Sequence, residues 1–149
     1  MSFKLSERSL DRLKGVDQKL VDVVKRAIDL TEIDFGVSEG LRTLERQKEL
    51  VEKGASQTLK SKHLGGRAVD LAAYVGPRIS WELAVYDDIA DAVRQAANEL
   101  EVTICWGAAW HKNLTDTKMS AEDLMNEYID LRRSQSRRPF IDAPHFELA

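Results

Sequence analysis

SKHLGGRAVDLAAY, residues 61–74, is the stretch from which the rest of the chain is best read. Its second half alternates. Val69 and Leu71 fall on one side and Asp70 on the other, the period of a strand with one buried face. Its first half sets His63 ahead of Gly65 and Gly66, which let the backbone turn sharply before the strand begins. Two residue types that bind metals therefore flank a turn, and the strand holds one of them rigidly. Such a pair alone is a weak signal, because a polar loop histidine and a surface acid make the same pattern.

Working outward, residues 17–31 place Leu20, Val23, Val24, Ala27, Ile28 and Leu30 mostly on one helical face. IDFGVS then reads as a short strand, and Thr43 as the N-cap of a helix that Gly54 ends. Beyond the opening stretch come a long helix over residues 82–100 and a strand in EVTICW. The terminal APHFELA reads as an edge strand with Pro144 at its start, where a missing N–H is tolerated. Helices alternating with short strands, without a regular βαβ rhythm, imply an α+β fold with a small antiparallel sheet. Residues 111–138 look inserted: a helix with Ser120 as N-cap and Leu124, Met125, Tyr128 and Ile129 as its apolar face, then RRSQSRRP. This segment reads as a lobe packed on the main domain or as an arginine-rich surface that docks on an anionic envelope. The acids of SAEDLMNEYID nearly cancel its charge and favour the lobe.

The totals exclude several classes of function. With 149 residues, 43% hydrophobic and 32% charged, the chain suits one soluble domain with a real core. A net charge of -3 offers no basic excess for nucleic acid. The lone Cys105 cannot form an internal disulfide, and its neighbours suggest a buried strand. The opening MSFKLSERSLDRLKG has no apolar secretory run and no later stretch approaches a membrane span, so stable membrane insertion is not expected. Made as written, the protein is expected in the cytoplasm.

The C-terminus strengthens the metal reading. DAPHFE carries His145 in an apolar strand, where a neutral imidazole needs a partner or a metal for both nitrogens. A core histidine bonded to backbone is the competing reading, and Asp142 before Ala-Pro is equally a turn former. His111, in the polar stretch WHKNL, reads as exposed. Arg42, opening a helix, reads equally as a surface charge, and Trp106 and Trp110 as cleft lining or core.

Ser61, His63, Gly66, Ala68 and Asp70 match in full the S-x-H-x-x-G-x-A-x-D motif of the zinc D-Ala-D-Ala carboxypeptidase and L-Ala-D-Glu endopeptidase family. DAPHFEL resembles the closing motif of its bacteriophage endolysin branch, and SEGLRTLERQ its substrate-side segment. MSFKLSERSL and CWGAAW are also similar to phage L-alanyl-D-glutamate peptidases. The likeness covers about residues 1–110 and 139–149. It implies a D-Ala-D-Ala metallopeptidase-like, hedgehog-like fold in a single catalytic domain over 1–149, with the insert at 111–138 and no separate wall-binding domain. It implies one zinc ion on His63, Asp70 and His145, with Asp142 as general base and Arg42 aiding the oxyanion. It places Arg42 on the substrate side, where Ser61 and Trp106 are also expected to meet substrate. The substrate would be the peptidoglycan stem peptide, the protein a monomer, and a holin its route to the wall. A D,D-carboxypeptidase and a wall-binding module with structural zinc are the alternatives. The chain departs from its relatives at Ala109, where an acid is usual, and in the length of the insert.

Overall fold

The computed structural model describes residues 3–54 and 61–149. Five helices and five strands follow in the order α1 (Glu7–Arg12), α2 (Gln18–Leu30), β1 (Asp34–Glu39), α3 (Leu44–Glu52), β2 (Ala68–Val75), β3 (Arg78–Ser80), α4 (Leu83–Glu99), β4 (Ile104–Trp106), α5 (Ala121–Ser134) and β5 (His145–Leu148). Short 3₁₀ turns at Lys62–Gly65 and Leu114–Asp116 join them. The helix starts follow local chemistry. Asp17, Thr43 and Ser120 each accept a backbone N–H of their own first turn, satisfying a donor the helix leaves orphaned.

All strand pairings are antiparallel, in the order β1-β2-β5-β4, with β3 added to β2. This bears out the α+β reading and corrects one detail. The terminal strand lies inside the sheet, between β2 and β4, and not at its edge. Pro144 does not obstruct this, because it stands just before the strand and contributes only its carbonyl, which accepts from Leu71 N at 2.9 Å. The sequence reading also passed over α1 and β3, both too short to show a period.

Core and site lie on opposite faces of the sheet. Val69, Leu71 and Ala73 of β2 are fully buried, as are Phe35 and Val37 of β1 to within 2%. On the same side, Leu20, Val23, Val24 and Ala27 of α2 meet Ile89, Ala90, Val93 and Ala97 of α4. Each large aliphatic side chain so buried contributes about 1.5–3 kcal/mol. Tyr86 ties this layer to the sheet: its hydroxyl accepts from Ala73 N at 3.1 Å and donates to the Ser80 carbonyl at 2.9 Å. The α5 segment packs against α4, and its Leu124, Met125 and Tyr128 join the main core, so α5 forms a lobe continuous with it.

Candidate metal centre

The β2–β5 register pairs Asp70 with His145 and Ala68 with Glu147, so His145, Glu147 and Asp70 share the face opposite the core. The 3₁₀ turn brings His63 over the same face. Ser61 starts that turn by accepting His63 N at 3.2 Å, and Gly66 ends it in a left-handed conformation at φ 69°. A β-carbon at Gly66 would collide with the Gly15 carbonyl, so glycine is required here twice over.

The result is a triangle of donor atoms. His63 Nε2, Asp70 Oδ1 and His145 Nδ1 each stand 3.2 Å from the other two. Among the described residues this is the one group of three or more His, Cys, Asp or Glu able to hold a metal ion. Both rings are fixed from behind. His63 Nδ1 lies 2.8 Å from the Gly40 carbonyl and His145 Nε2 lies 2.8 Å from Glu147 Oε1. With the outer nitrogens committed to donating, the nitrogens that face the centre would present their lone pairs to a bound ion once they give up any proton shared with Asp70. Burial pushes the Asp70 carboxyl up, but hydrogen bonds from His145 and His63 and their nearby charge hold it well below the usual range. Burial opposes charge on His145 too, yet the bonds to Asp70 and Glu147 raise it to about 9.

Asp142 sits beside the triangle on the loop entering β5. Its N–H donates to the Gly107 carbonyl at 2.8 Å and its own carbonyl accepts His145 N at 3.0 Å. Gly107 has to be glycine for this approach, since a β-carbon there would run into the Asp142 carbonyl oxygen. Burial, and then the charge of Asp70, raise the Asp142 carboxyl above its ordinary value. Such a group is suited to taking up a proton and giving it back.

Arg42 is buried rather than a surface charge. Its Nε and Nη2 grip Glu39 at 2.6 and 2.7 Å, Nη1 donates to Gln47 at 2.5 Å and approaches Ser61 at 3.5 Å, and Nη2 stands 3.6 Å from Asp70 Oδ2. Most of its donors are thus committed within the protein, and its positive charge lies next to the centre. Trp106 departs from the cleft position anticipated for it: it is fully buried, stacks on Phe146 and donates to the Ala143 carbonyl at 2.7 Å. Trp110 is the tryptophan beside the centre, its ring 5.4 Å from that of His145. His111 is not exposed as expected. Its Nε2 pairs with Glu127 at 2.8 Å, away from the metal triangle. Ala109 is sealed in the core. Glu39, Glu147 and Lys62 escaped the sequence reading. Only the register of β5, which sets Glu147 two places beyond His145 on one face, would have pointed to Glu147.

Fold and donor set together define a small α+β protein with three convergent donors that could hold a metal ion on one face of an antiparallel sheet. The comparisons are narrower. The family model described as phage L-alanyl-D-glutamate peptidase matches residues 1–149, and the chain belongs to that family. It is 34% identical over 115 residues to the L-alanyl-D-glutamate peptidase of Escherichia phage T5, covering 74% of this chain and 84% of that protein. It is 29% identical over 106 residues to the protein of the same name from Listeria phage A118, covering 69% of this chain but 37% of that longer protein. Among solved structures it resembles the Serratia marcescens L-Ala D-Glu endopeptidase ChiX, with a TM-score of 0.75, 36% identity, and coverage of 99% and 91% of the two chains.

Proposed function

We propose that this chain is a zinc-dependent peptidoglycan endopeptidase, an endolysin that hydrolyses the L-Ala–D-Glu bond of the stem peptide during host lysis. The observation that carries the reading is the His63–Asp70–His145 triangle with Asp142 beside it, in a member of a peptidase family. The donor set suits zinc. Tetrahedral bonds of about 2.0–2.1 Å separate neighbouring ligands by roughly 3.3–3.4 Å, close to the 3.2 Å edges seen here. Two imidazoles and one carboxylate are also the ligand types of catalytic zinc, which keeps a coordination position open. When bound, the ion supplies Lewis acidity toward a carbonyl oxygen and makes water more acidic near pH 7.

The chain's own residues supply the rest. Asp142 takes a proton from the attacking water and returns it to the leaving amine, a role its raised proton affinity favours. Arg42, locked by Glu39, places fixed positive charge where negative charge develops on the carbonyl oxygen. Ser61 and Gly40 hold His63 in register with Asp70. Trp110 forms an aromatic wall beside His145 on the substrate side. The protein acts as a monomer with one ion. No helix among the described residues is long and apolar enough to cross a membrane. Access to the wall from the cytoplasm then depends on a separate membrane-opening protein such as a holin.

The test is a chelation and digestion series on purified peptidoglycan. Chelation should abolish hydrolysis and zinc restore it, with near-stoichiometric metal and new termini at L-Ala and D-Glu. Full activity in a metal-stripped sample would overturn the zinc reading. Release of terminal D-Ala in place of an internal cut would make the protein a carboxypeptidase.

A further inference from the structure

The two histidines of the centre are supported differently. His63 leans on a backbone carbonyl, that of Gly40, whereas His145 leans on a side chain. Glu147 Oε1 lies 2.8 Å from His145 Nε2, and Glu147 Oε2 lies 3.0 Å from Lys62 Nζ. Lys62 also donates to the Leu148 carbonyl, which anchors its ammonium against β5. Lys62 is the residue just before His63, so one chain of contacts runs from the stretch carrying the first ligand, through Lys62 and Glu147, to the last. Opposite Glu147 on β2 stands Ala68, a small residue beside which the carboxylate can lean along the strand toward His145. The carboxylate is only 13% exposed, so an ion pair with Lys62 offsets the cost of keeping it charged in place.

We infer that Glu147 is a positioning residue of the metal centre, held by Lys62, which fixes His145 as the Nε2–H tautomer so that Nδ1 presents its lone pair to the ion. The inference rests on the zinc reading above. A ligating imidazole that loses its carboxylate partner samples both tautomers and more ring orientations. Such losses weaken metal binding by about 10–100-fold. No comparable side-chain substitution exists for His63, because its support is a peptide carbonyl. The two ligands should therefore respond differently to mutation of their surroundings.

The experiment measures zinc affinity of the full chain by competition with a chromophoric chelator. It also follows the His145 tautomer by ¹⁵N spectroscopy of histidine-labelled protein. Wild type should bind tightly with His145 protonated at Nε2, and His63→Ala should lose binding. That pair of results tests the metal centre separately from the role of Glu147. Glu147→Ala should bind about 10–100-fold more weakly with mixed tautomers at His145. Glu147→Gln keeps an oxygen acceptor and should recover binding to within a few-fold. Lys62→Met should weaken it less than Glu147→Ala. The inference is overturned if folded Glu147→Ala binds zinc as wild type does, or if Glu147→Gln is as weak as Glu147→Ala. Should Glu147→Ala fail to fold, wild type still decides: zinc-loaded protein with His145 protonated at Nδ1 would overturn it.

Discussion

The sheet face that carries the candidate metal centre and the helical side, where the α5 lobe lies on α4, treat buried polar groups in opposite ways. At the centre, His63 is bonded at both ring nitrogens, His145 likewise, and Arg42 donates to Glu39 and Gln47. Four buried side-chain polar atoms without a hydrogen-bond partner are found among the described residues: Asp87 Oδ1, Arg94 Nε, His111 Nδ1 and Arg132 Nε. All four belong to α4, to α5 or to the segment between them. An unmade hydrogen bond in low dielectric costs about 1–3 kcal/mol, so the lobe holds its place by apolar packing despite these groups. The centre is held by polar geometry. Changes at the centre should therefore remove chemistry, and changes in the lobe should alter stability.

The strongest way to break that contrast is Asp142→Ala. The loop backbone is pinned by Gly107 and His145 and does not depend on the carboxylate. The variant should keep zinc and fold while losing about 10²–10⁴ in rate. Near-wild-type hydrolysis would make Asp142 a turn residue only.

Next is Leu124→Ala in the lobe, where the side chain is fully buried. It should cost about 2–5 kcal/mol of stability, read from urea unfolding, with zinc affinity and turnover of the folded enzyme unchanged. A loss of metal would show that the lobe supports the centre directly.

Arg42 lies between the two regimes. Arg42→Ala strands the partly buried Glu39 and should cost about 2 kcal/mol of stability as well as slowing turnover. Arg42→Lys should not rescue it, since an ammonium cannot make the two-pronged bond to Glu39. Unchanged stability and rate in Arg42→Ala would return this residue to the surface role.

The smallest expected effect is a pH dependence in the lobe. Burial, with Glu122, Asp91 and Asp88 nearby, pushes the Asp87 carboxyl up to about 6 from 3.8. An acid with a raised folded value binds its proton more tightly in the folded state. Its contribution therefore favours folding below the ordinary carboxylate range and is lost as pH rises through about 6. Asp87→Asn should flatten that fall and raise stability at pH 8 by about 1–2 kcal/mol, with no gain at pH 4. Parallel stability curves for the two proteins between pH 4 and 8 would remove Asp87 from the account.

What was legible in advance was local. The caps at Thr43 and Ser120, the apolar stripe of α2 and the alternation of β2 are all patterns within a dozen residues. The motif from Ser61 to Asp70 is equally short, and two of the three donors fall within eight residues of each other. Their types, spacing and turn chemistry are properties of the chain itself, so His63 and Asp70 could be named from sequence. Other features depend on which strand pairs with which and in what register, a question of non-local packing. Only the antiparallel pairing of β2 with β5 brings His145 opposite Asp70, 75 positions earlier, and lays Glu147 behind it. The pairing of β5 with β4 sets Trp106 opposite Phe146 in the core, and the turn that follows β4 sets Trp110 beside His145, although the two tryptophans look alike in sequence. Arg42 was visible as an arginine at the start of a helix. That it is buried and clamped by Glu39 follows from the bulge in β1 at Val37–Glu39, which shifts the pairing so that Glu39 stands opposite Asp70.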